Sequence, residues 1–192
     1  MGKKPQNDES GEGSARKEPA PHPSFEHTGL YDPLTGLLSR AALLARLRGE
    51  FSAAKRHGHA LSLCLCAISH LSGINRDEGP EAGDHVLKAI GEVIAASKRG
   101  EDVAGRYGSE EMCLIFPYSS ALHAANCINR IAARASGLQF SGEWSRSFGV
   151  RLHFGLADRK ANHVQEQQLM EAADRALYEA RENNRILCIH AE

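Results

Sequence analysis

The chain has 192 residues, a formal net charge of −1 at neutral pH, 42% hydrophobic residues and 24% charged residues. That length holds one ordinary domain plus a tail, and so balanced a charge gives no global electrostatic pull toward DNA, RNA or an anionic membrane. No apolar run approaches the length of a bilayer span and the start of the chain lacks the apolar core of a signal peptide, so a cytoplasmic protein is expected.

Residues 1–28 are rich in Gly, Ser, Pro, Lys and Glu and poor in large apolar side chains. Such a stretch buries too little surface to offset its conformational entropy, which predicts a disordered tail ahead of a single domain at 29–192. The tail is too short to be a sensor, so regulation is expected through a partner, a ligand or assembly. Tyr31-Asp32-Pro33-Leu34-Thr35-Gly36-Leu37 is a turn-rich lead-in. Ser39 is placed to N-cap a helix whose Leu43, Leu44, Leu47 and Phe51 share one face and which ends over Lys55 to His59. Leu61 to Ile68 is a nearly continuous apolar run, as expected of a central strand covered on both faces.

Ser69 through Gly83 is polar and predicts a loop, after which Asp84 opens a long helix. Val86, Leu87, Ile90, Val93 and Ile94 repeat in it at helical period, and Gly100 follows its basic end Lys98-Arg99. Two β-like runs, Asp102 to Tyr107 and Met112 to Phe116, flank the turn signal Gly108-Ser109 and predict a hairpin with Glu110 and Glu111 at or near its tip. A helix from Ser119 to about Ser136 is expected to bury Leu122, Ala125, Ile128, Ile131 and Ala132. Leu138 to Phe140 and Val150 to Ala157 predict strands, the first at an edge. The last helix, about Gln165 to Asn183, buries Leu169, Met170, Ala173, Ala176, Leu177 and Ala180, and Arg185 to His190 is a final strand. Strands alternating with helices, one pair being a hairpin, give an α/β (α+β) sandwich: a central mixed sheet flanked by helices.

The five cysteines, Cys64, Cys66, Cys113, Cys127 and Cys188, are odd in number, lie in apolar runs and form no C-x-x-C pair, which predicts buried reduced thiols. The ten histidines lack the spacing of a helical metal site and take no role. Glu110 and Glu111 are suited to hold a divalent cation or orient a phosphate ligand, or they form a solvated polar turn. Arg181 and Arg185, four apart at the end of the last helix, either clamp one phosphate together or complement the helix C-terminus. Asn75 and Asp84 flank a Gly-containing loop; an amide and a carboxylate read the donor and acceptor edge of guanine, while capping is the structural alternative for Asp84. Arg99 and Asp102 stand three apart before the hairpin, as a ligand site or as a surface ion pair.

Five segments in order carry a family resemblance over roughly residues 31–190: Asp32-Pro-Leu-Thr-Gly-Leu-Leu-Ser-Arg40, Ile74-Asn75, Gly83-Asp84, Arg106-Tyr-Gly-Ser-Glu-Glu-Met112 and Ala173-Asp-Arg-Ala-Leu-Tyr-Glu-Ala-Arg181. The chain resembles GGDEF domains, the family of diguanylate cyclases and their degenerate relatives. The resemblance implies a palm-like mixed sheet related to adenylyl cyclase and polymerase palms. It implies two GTP molecules joined into cyclic di-GMP across a dimer of domains, with metal ions held by an aspartate at the end of the first strand and an acidic residue of the hairpin. It also implies a second site, R-x-x-D, that binds cyclic di-GMP.

Against that pattern, Ala67-Ile68-Ser69 stands where the family has Asp-Ile-Asp, Ser72 replaces a lysine, Ser109 the second hairpin glycine and Met112 a phenylalanine. Retained are Glu110 as a weak metal ligand, Glu111, the GTP-binding candidates Asn75, Asp84, Arg181 and Arg185, and the cyclic di-GMP candidates Arg99 and Asp102, with Arg130 as an added arginine. The expectation is a cyclic di-GMP receptor whose cyclase activity is lost or strongly impaired. The alternatives are a weak diguanylate cyclase and a GTP-binding or protein-interaction scaffold. No cofactor is expected for a receptor; Mg²⁺ accompanies any cyclase activity that remains. Expected partners are cyclic di-GMP, GTP, a protein whose identity the sequence leaves open, and a second copy of the chain in a homodimer.

Overall fold

The computed structural model describes residues 1–2, 29–142 and 144–190. The tail expected at 1–28 lies outside them apart from its first two residues.

The described residues form a five-stranded sheet with flanking helices, the mixed-sheet architecture expected from the sequence. In chain order the elements are α1 (Arg40–His57), β1 (Leu61–Ile68), α2 (Leu71–Glu78), α3 (Pro80–Ala95), β2 (Val103–Arg106), β3 (Glu111–Pro117), α4 (Ala121–Ser136), β4 (Leu152–Asp158), α5 (Glu166–Glu182) and β5 (Leu187–Ile189). The sheet order is β2-β3-β1-β4-β5. All pairings are antiparallel except β4 with β5, which is parallel.

All eight residues of β1 are buried. Side chains alternate across a strand, so Cys64, Cys66 and Ile68 join a core with α2, α3 and α4, whereas Leu61, Leu63, Leu65 and Ala67 join one with α1 and α5. The expected caps and faces hold for α1: the Ser39 hydroxyl accepts from the Ala42 N–H, Gly58 closes the helix at φ 71°, and Leu43, Leu47 and Phe51 are buried. Leu44 is only half-buried. All five cysteines are free and buried.

Four expectations are corrected. The segment from Ser69 to Gly83 is not a loop; it contains α2 and the first turn of α3. Leu71 and Ile74, three apart, anchor α2 in the core. Asp84 does not open α3. The helix starts at Pro80, whose missing N–H costs nothing at a first helical position, and Gly79 at φ 94° makes the joint between the two helices. In α4 the buried face is Ala121, Ala124, Cys127, Ile128, Ile131 and Ala135. Leu122 is 74% exposed, because it lies about 100° round the helix from Ala121. Leu138 to Phe140 is not a strand: only Phe140 bridges, to Phe148.

Two close approaches hold the layers in place. A methyl added at Gly155 on β4 would overlap the backbone Leu177 N and Ala173 O of α5. One added at Gly91 on α3 would overlap the carbonyl of Thr35 in the opening turn. That turn is folded on Asp32, whose Oδ1 accepts from the Thr35 N–H at 2.9 Å and the Thr35 hydroxyl at 2.8 Å. Asp32 also pairs with Arg106 at 3.2 Å, and Arg106 in turn donates from Nε to the Gly108 carbonyl and from Nη2 to the Ser109 carbonyl. One guanidinium therefore ties the start of the domain to the tip of the β2–β3 hairpin. Partial burial pushes the Asp32 carboxyl up, but the Thr35 hydrogen bonds and the Arg106 charge outweigh it and hold the group below the usual carboxylate range.

Gly155→Ala is expected to destabilise the fold by about 2–3 kcal/mol, because the atoms it meets are backbone and cannot move aside; urea unfolding reads this as a lower midpoint at constant slope. Asp32→Asn is expected to cost about 1–2 kcal/mol at neutral pH, the scale of hydrogen bonds to a charged group. Since the folded-state value of Asp32 is depressed, its contribution is complete above the ordinary carboxylate range and is lost as pH falls through the lower folded value. Unfolding measured from pH 6 down to pH 3 should show a shallower acid-side loss in Asp32→Asn than in the wild type.

Candidate functional site

The first cluster forms where β1 ends. Register sets Ala67 opposite Glu111 on β3 and opposite His153 on β4, all on the α5 side of the sheet. Glu110 precedes β3, and its carbonyl accepts from the Ile68 N–H at 3.1 Å, which pins the hairpin tip to the end of β1. From α5, Arg181 reaches over with Nη2 3.4 Å from Glu110 Oε1 and Nη1 3.9 Å from Glu111 Oε1. The glutamates are about one-third exposed and Arg181 41%, so the pairs are screened and contribute little to stability. Their consequence is electrostatic: the two hairpin carboxylates already share a cation. On the opposite face, burial first and the Glu111 charge second push the Cys66 thiol up and keep it protonated.

Divalent-metal coordination of the kind GGDEF cyclases use needs several oxygen ligands. Ala67 is fully buried and offers no side-chain oxygen, and Arg181 already faces Glu110 and Glu111. Among the described residues no group of three His, Cys, Asp or Glu side chains gathers as a metal site. The donor set at the end of β1 does not fit a pair of divalent cations.

Arg185 is not on the last helix with Arg181. α5 ends at Glu182, Asn184 takes a left-handed conformation at φ 51°, and Arg185 follows with its N–H on the Ala180 carbonyl. The four-residue spacing therefore does not set the two guanidiniums side by side. The Arg185 backbone instead approaches β4, where its carbonyl accepts from the buried His153 ring at 2.6 Å. A carbonyl only accepts, so Nδ1 of His153 carries the proton.

Asn75 and Asp84 come from two packed helices rather than from the ends of a loop. The Asn75 side chain lies against Gly83, where any side chain would overlap Oδ1, so the missing Cβ lets α2 and α3 close. Both Asn75 and Asp84 are exposed.

The second cluster lies beyond α3, which ends at Ala95, so Arg99 sits in a turn rather than at a helix end. Asp102 is only 5% exposed, and its Oδ2 accepts from the Arg99 N–H at 2.8 Å. Among the described residues no ion pair joins the Arg99 and Asp102 side chains; the carboxylate folds the turn and leaves the Arg99 guanidinium in solvent. From α4, Arg130 donates to the Ser97 carbonyl at 2.5 Å and Arg134 to the Ala96 carbonyl at 3.0 Å, neutralising the negative end of α3. Between them, Cys127 feels the charges of Arg130, Asp102 and Arg99, although burial dominates and pushes its thiol up. The three residues expected to act together are thus gathered round one turn.

Sequence reasoning missed the Asp32–Arg106 link, whose partners are 74 positions apart, and His153, which it left without a role. It also missed Glu78, whose carboxylate is 3% exposed and holds Ser145 and Arg146. Nothing in local pattern marks such pairs.

The family profile described as "Diguanylate cyclase, GGDEF domain" matches residues 29–186. The chain is 35% identical over 158 residues to diguanylate cyclase DgcP of Pseudomonas aeruginosa, covering 81% of this chain and 23% of that protein. It is 30% identical to diguanylate cyclase DgcS of Shewanella oneidensis, covering 81% of this chain and 51% of that protein. The chain therefore spans between about a quarter and a half of these curated relatives. Among solved structures, the GGDEF domain of DgcB from Caulobacter crescentus in complex with c-di-GMP superposes with a TM-score of 0.79 at 28% identity, covering 84% of this chain and 95% of that one. Diguanylate cyclase SiaD from P. aeruginosa, in complex with its activator SiaC, has a TM-score of 0.79 at 29% identity, covering 84% of this chain and 62% of that one. With the mixed sheet, the β2–β3 hairpin and five ordered motifs in agreement, the chain belongs to the GGDEF domain family.

Proposed function

We propose that this GGDEF domain is a receptor for cyclic di-GMP whose cyclase chemistry is lost or strongly impaired. The carrying observation is the contrast between its two clusters. At the end of β1 a buried alanine stands at the metal position and the single cation of Arg181 already pairs with both hairpin carboxylates. Beyond α3, Arg99 is exposed, Asp102 shapes the turn beneath it and Arg130 lies alongside. Cyclic di-GMP carries two phosphates and two guanines. An exposed guanidinium binds either a phosphate or the O6/N7 edge of guanine with a forked pair of charge-assisted hydrogen bonds. Support also comes from the DgcB GGDEF domain, a complex of which with c-di-GMP is among the similar structures.

Asn75 and Asp84 keep the groups that read guanine, and Arg181 keeps a cation for phosphate, so weak GTP binding that depends little on Mg²⁺ belongs to the same proposal. The persistence of these groups is what favours a residual diguanylate cyclase as the second reading. Removing one oriented electrostatic partner of a transition state costs on the order of 10²–10³ in rate, and here a whole carboxylate is gone.

Incubated with GTP and Mg²⁺ or Mn²⁺, the purified protein is expected to form no cyclic di-GMP. Turnover abolished by Glu110→Ala would establish the cyclase reading instead. In the receptor assay, Arg99→Ala is expected to weaken cyclic di-GMP binding by about 1.5–3 kcal/mol without lowering the unfolding midpoint, since its side chain is exposed and makes no hydrogen bond or ion pair among the described residues. Asp102→Ala is expected to lower both binding and stability, because its carboxylate holds the turn. Equal affinity in wild type and Arg99→Ala, measured by calorimetry, rules out this site.

A further inference from the structure

Between α4 and β4 the chain makes an excursion whose base is closed by Phe140 and Phe148. Their backbones exchange hydrogen bonds of 2.9 and 3.0 Å, and their rings stack with centroids 5.3 Å apart. The excursion presents Trp144, Ser145 and Arg146 to the α2–α3 pair. Ser145 donates its N–H to Glu78 Oε2 and its hydroxyl to Glu78 Oε1, both at 2.7 Å. Arg146 approaches Asp77 at 3.2 Å and Glu78 at 3.5 Å. The Trp144 ring meets the His85 ring edge-on at 5.3 Å and 71°.

Each contact falls beside a candidate base-reading residue. Glu78 is three residues after Asn75 on one face of α2, and His85 directly follows Asp84 on α3. The Glu78 side chain is 3% exposed. A carboxylate that deeply buried needs its partners, because an unpaired buried charge is costly. The attachment therefore supplies the partners of a carboxylate with little access to water. It grips both helices at once, while the separation of Asn75 from Asp84 depends on how closely those helices pack at Gly83.

We propose that the Trp144–Arg146 segment is a wall of the base pocket formed by Asn75 and Asp84, and that its attachment to Glu78 sets the affinity of that pocket for a guanine nucleotide. This rests on the assignment of Asn75 and Asp84 as base-reading groups made above. Glu78 and Ser145 are positioning residues: they act through the wall and through the helix that carries Asn75. Trp144, partly buried against the core, fastens the segment to α3 through its edge-on contact with His85, the neighbour of Asp84.

Trp144 is the only tryptophan of the chain, so its emission reports on this segment alone. The test titrates GTP, with ATP as comparison, without added metal and up to millimolar concentration, following both Trp144 fluorescence and heat. The proteins are wild type, Glu78→Gln, Ser145→Ala and Asp84→Ala. For wild type, the emission is expected to change with GTP and to saturate at the calorimetric Kd. Ser145→Ala and Glu78→Gln are expected to raise that Kd by roughly tenfold and to narrow the preference for GTP over ATP, and Asp84→Ala to abolish it. A tenfold change corresponds to about 1.4 kcal/mol. Glu78→Gln keeps a hydrogen-bond acceptor for Ser145, and Ser145→Ala removes one hydroxyl, so should the former fail to fold the latter decides. GTP binding to wild type with a silent Trp144 and an unchanged Kd in Ser145→Ala overturns the wall and leaves the base pocket standing. Absence of GTP binding to wild type overturns the base pocket, and the wall with it.

Discussion

Strand β1 is the constraint on which the domain depends. It is buried along its whole length, paired on both sides, and covered by helices on both faces. Its alternation fixes which side chains face α5 and which face α3 and α4. A slip of one residue would exchange every member of the two cores, so register is held firmly. Ala67 is therefore committed to the α5 side, between Glu111 and His153, and no small adjustment brings Ser69 into its place. The fold fixes where residue 67 points, and the sequence puts there an alanine with no side-chain oxygen.

The elements read well from sequence are those whose pattern is long and regular. β1 declared itself by eight apolar or small residues, α1 by its Ser39 cap and spaced leucines, and α5 by alanines and leucines at helical period. α2 did not, because eight residues containing Gly73 and Ser72 lie below the length at which a helix stands by itself. It exists because Leu71 and Ile74 pack on the core and because Gly83 admits Asn75 beside α3. The true start of α3 was marked by Gly79-Pro80, a joint followed by proline at the first helical position, and was overridden by the apolar run that begins at Val86. The first hairpin strand, Val103–Arg106, came within a residue of the expectation.

For the candidate site, chemistry was more legible than geometry. The absent carboxylate at Ala67 and the presence of Arg99, Asp102 and Arg130 were evident from residue identity. That Asp102 is buried and spends its carboxylate on the Arg99 backbone was not, since a turn of this kind depends on Arg130 and Arg134 arriving from another helix. The same holds for Arg106. Its position in the motif suggested a hairpin residue, yet its side chain is organised by Asp32 from the opening turn. The β2–β3 hairpin thus carries Asp102 just before one strand and Glu110 just before the other, so the two clusters share a single rigid ribbon.

The cysteines give this architecture a further experimental use. Cys64, Cys66 and Cys113 come from neighbouring strands, with Cys113 on the opposite face from the other two, Cys127 lies on the buried face of α4, and Cys188 on β5 sits under α5. Burial pushes Cys64, Cys66 and Cys113 up, and only a thiolate attacks readily. An alkylating reagent reaches them when strands part from helices or from each other. The sequence of modification then times the opening of each layer, so the chain carries internal clocks for its own breathing that need no added label.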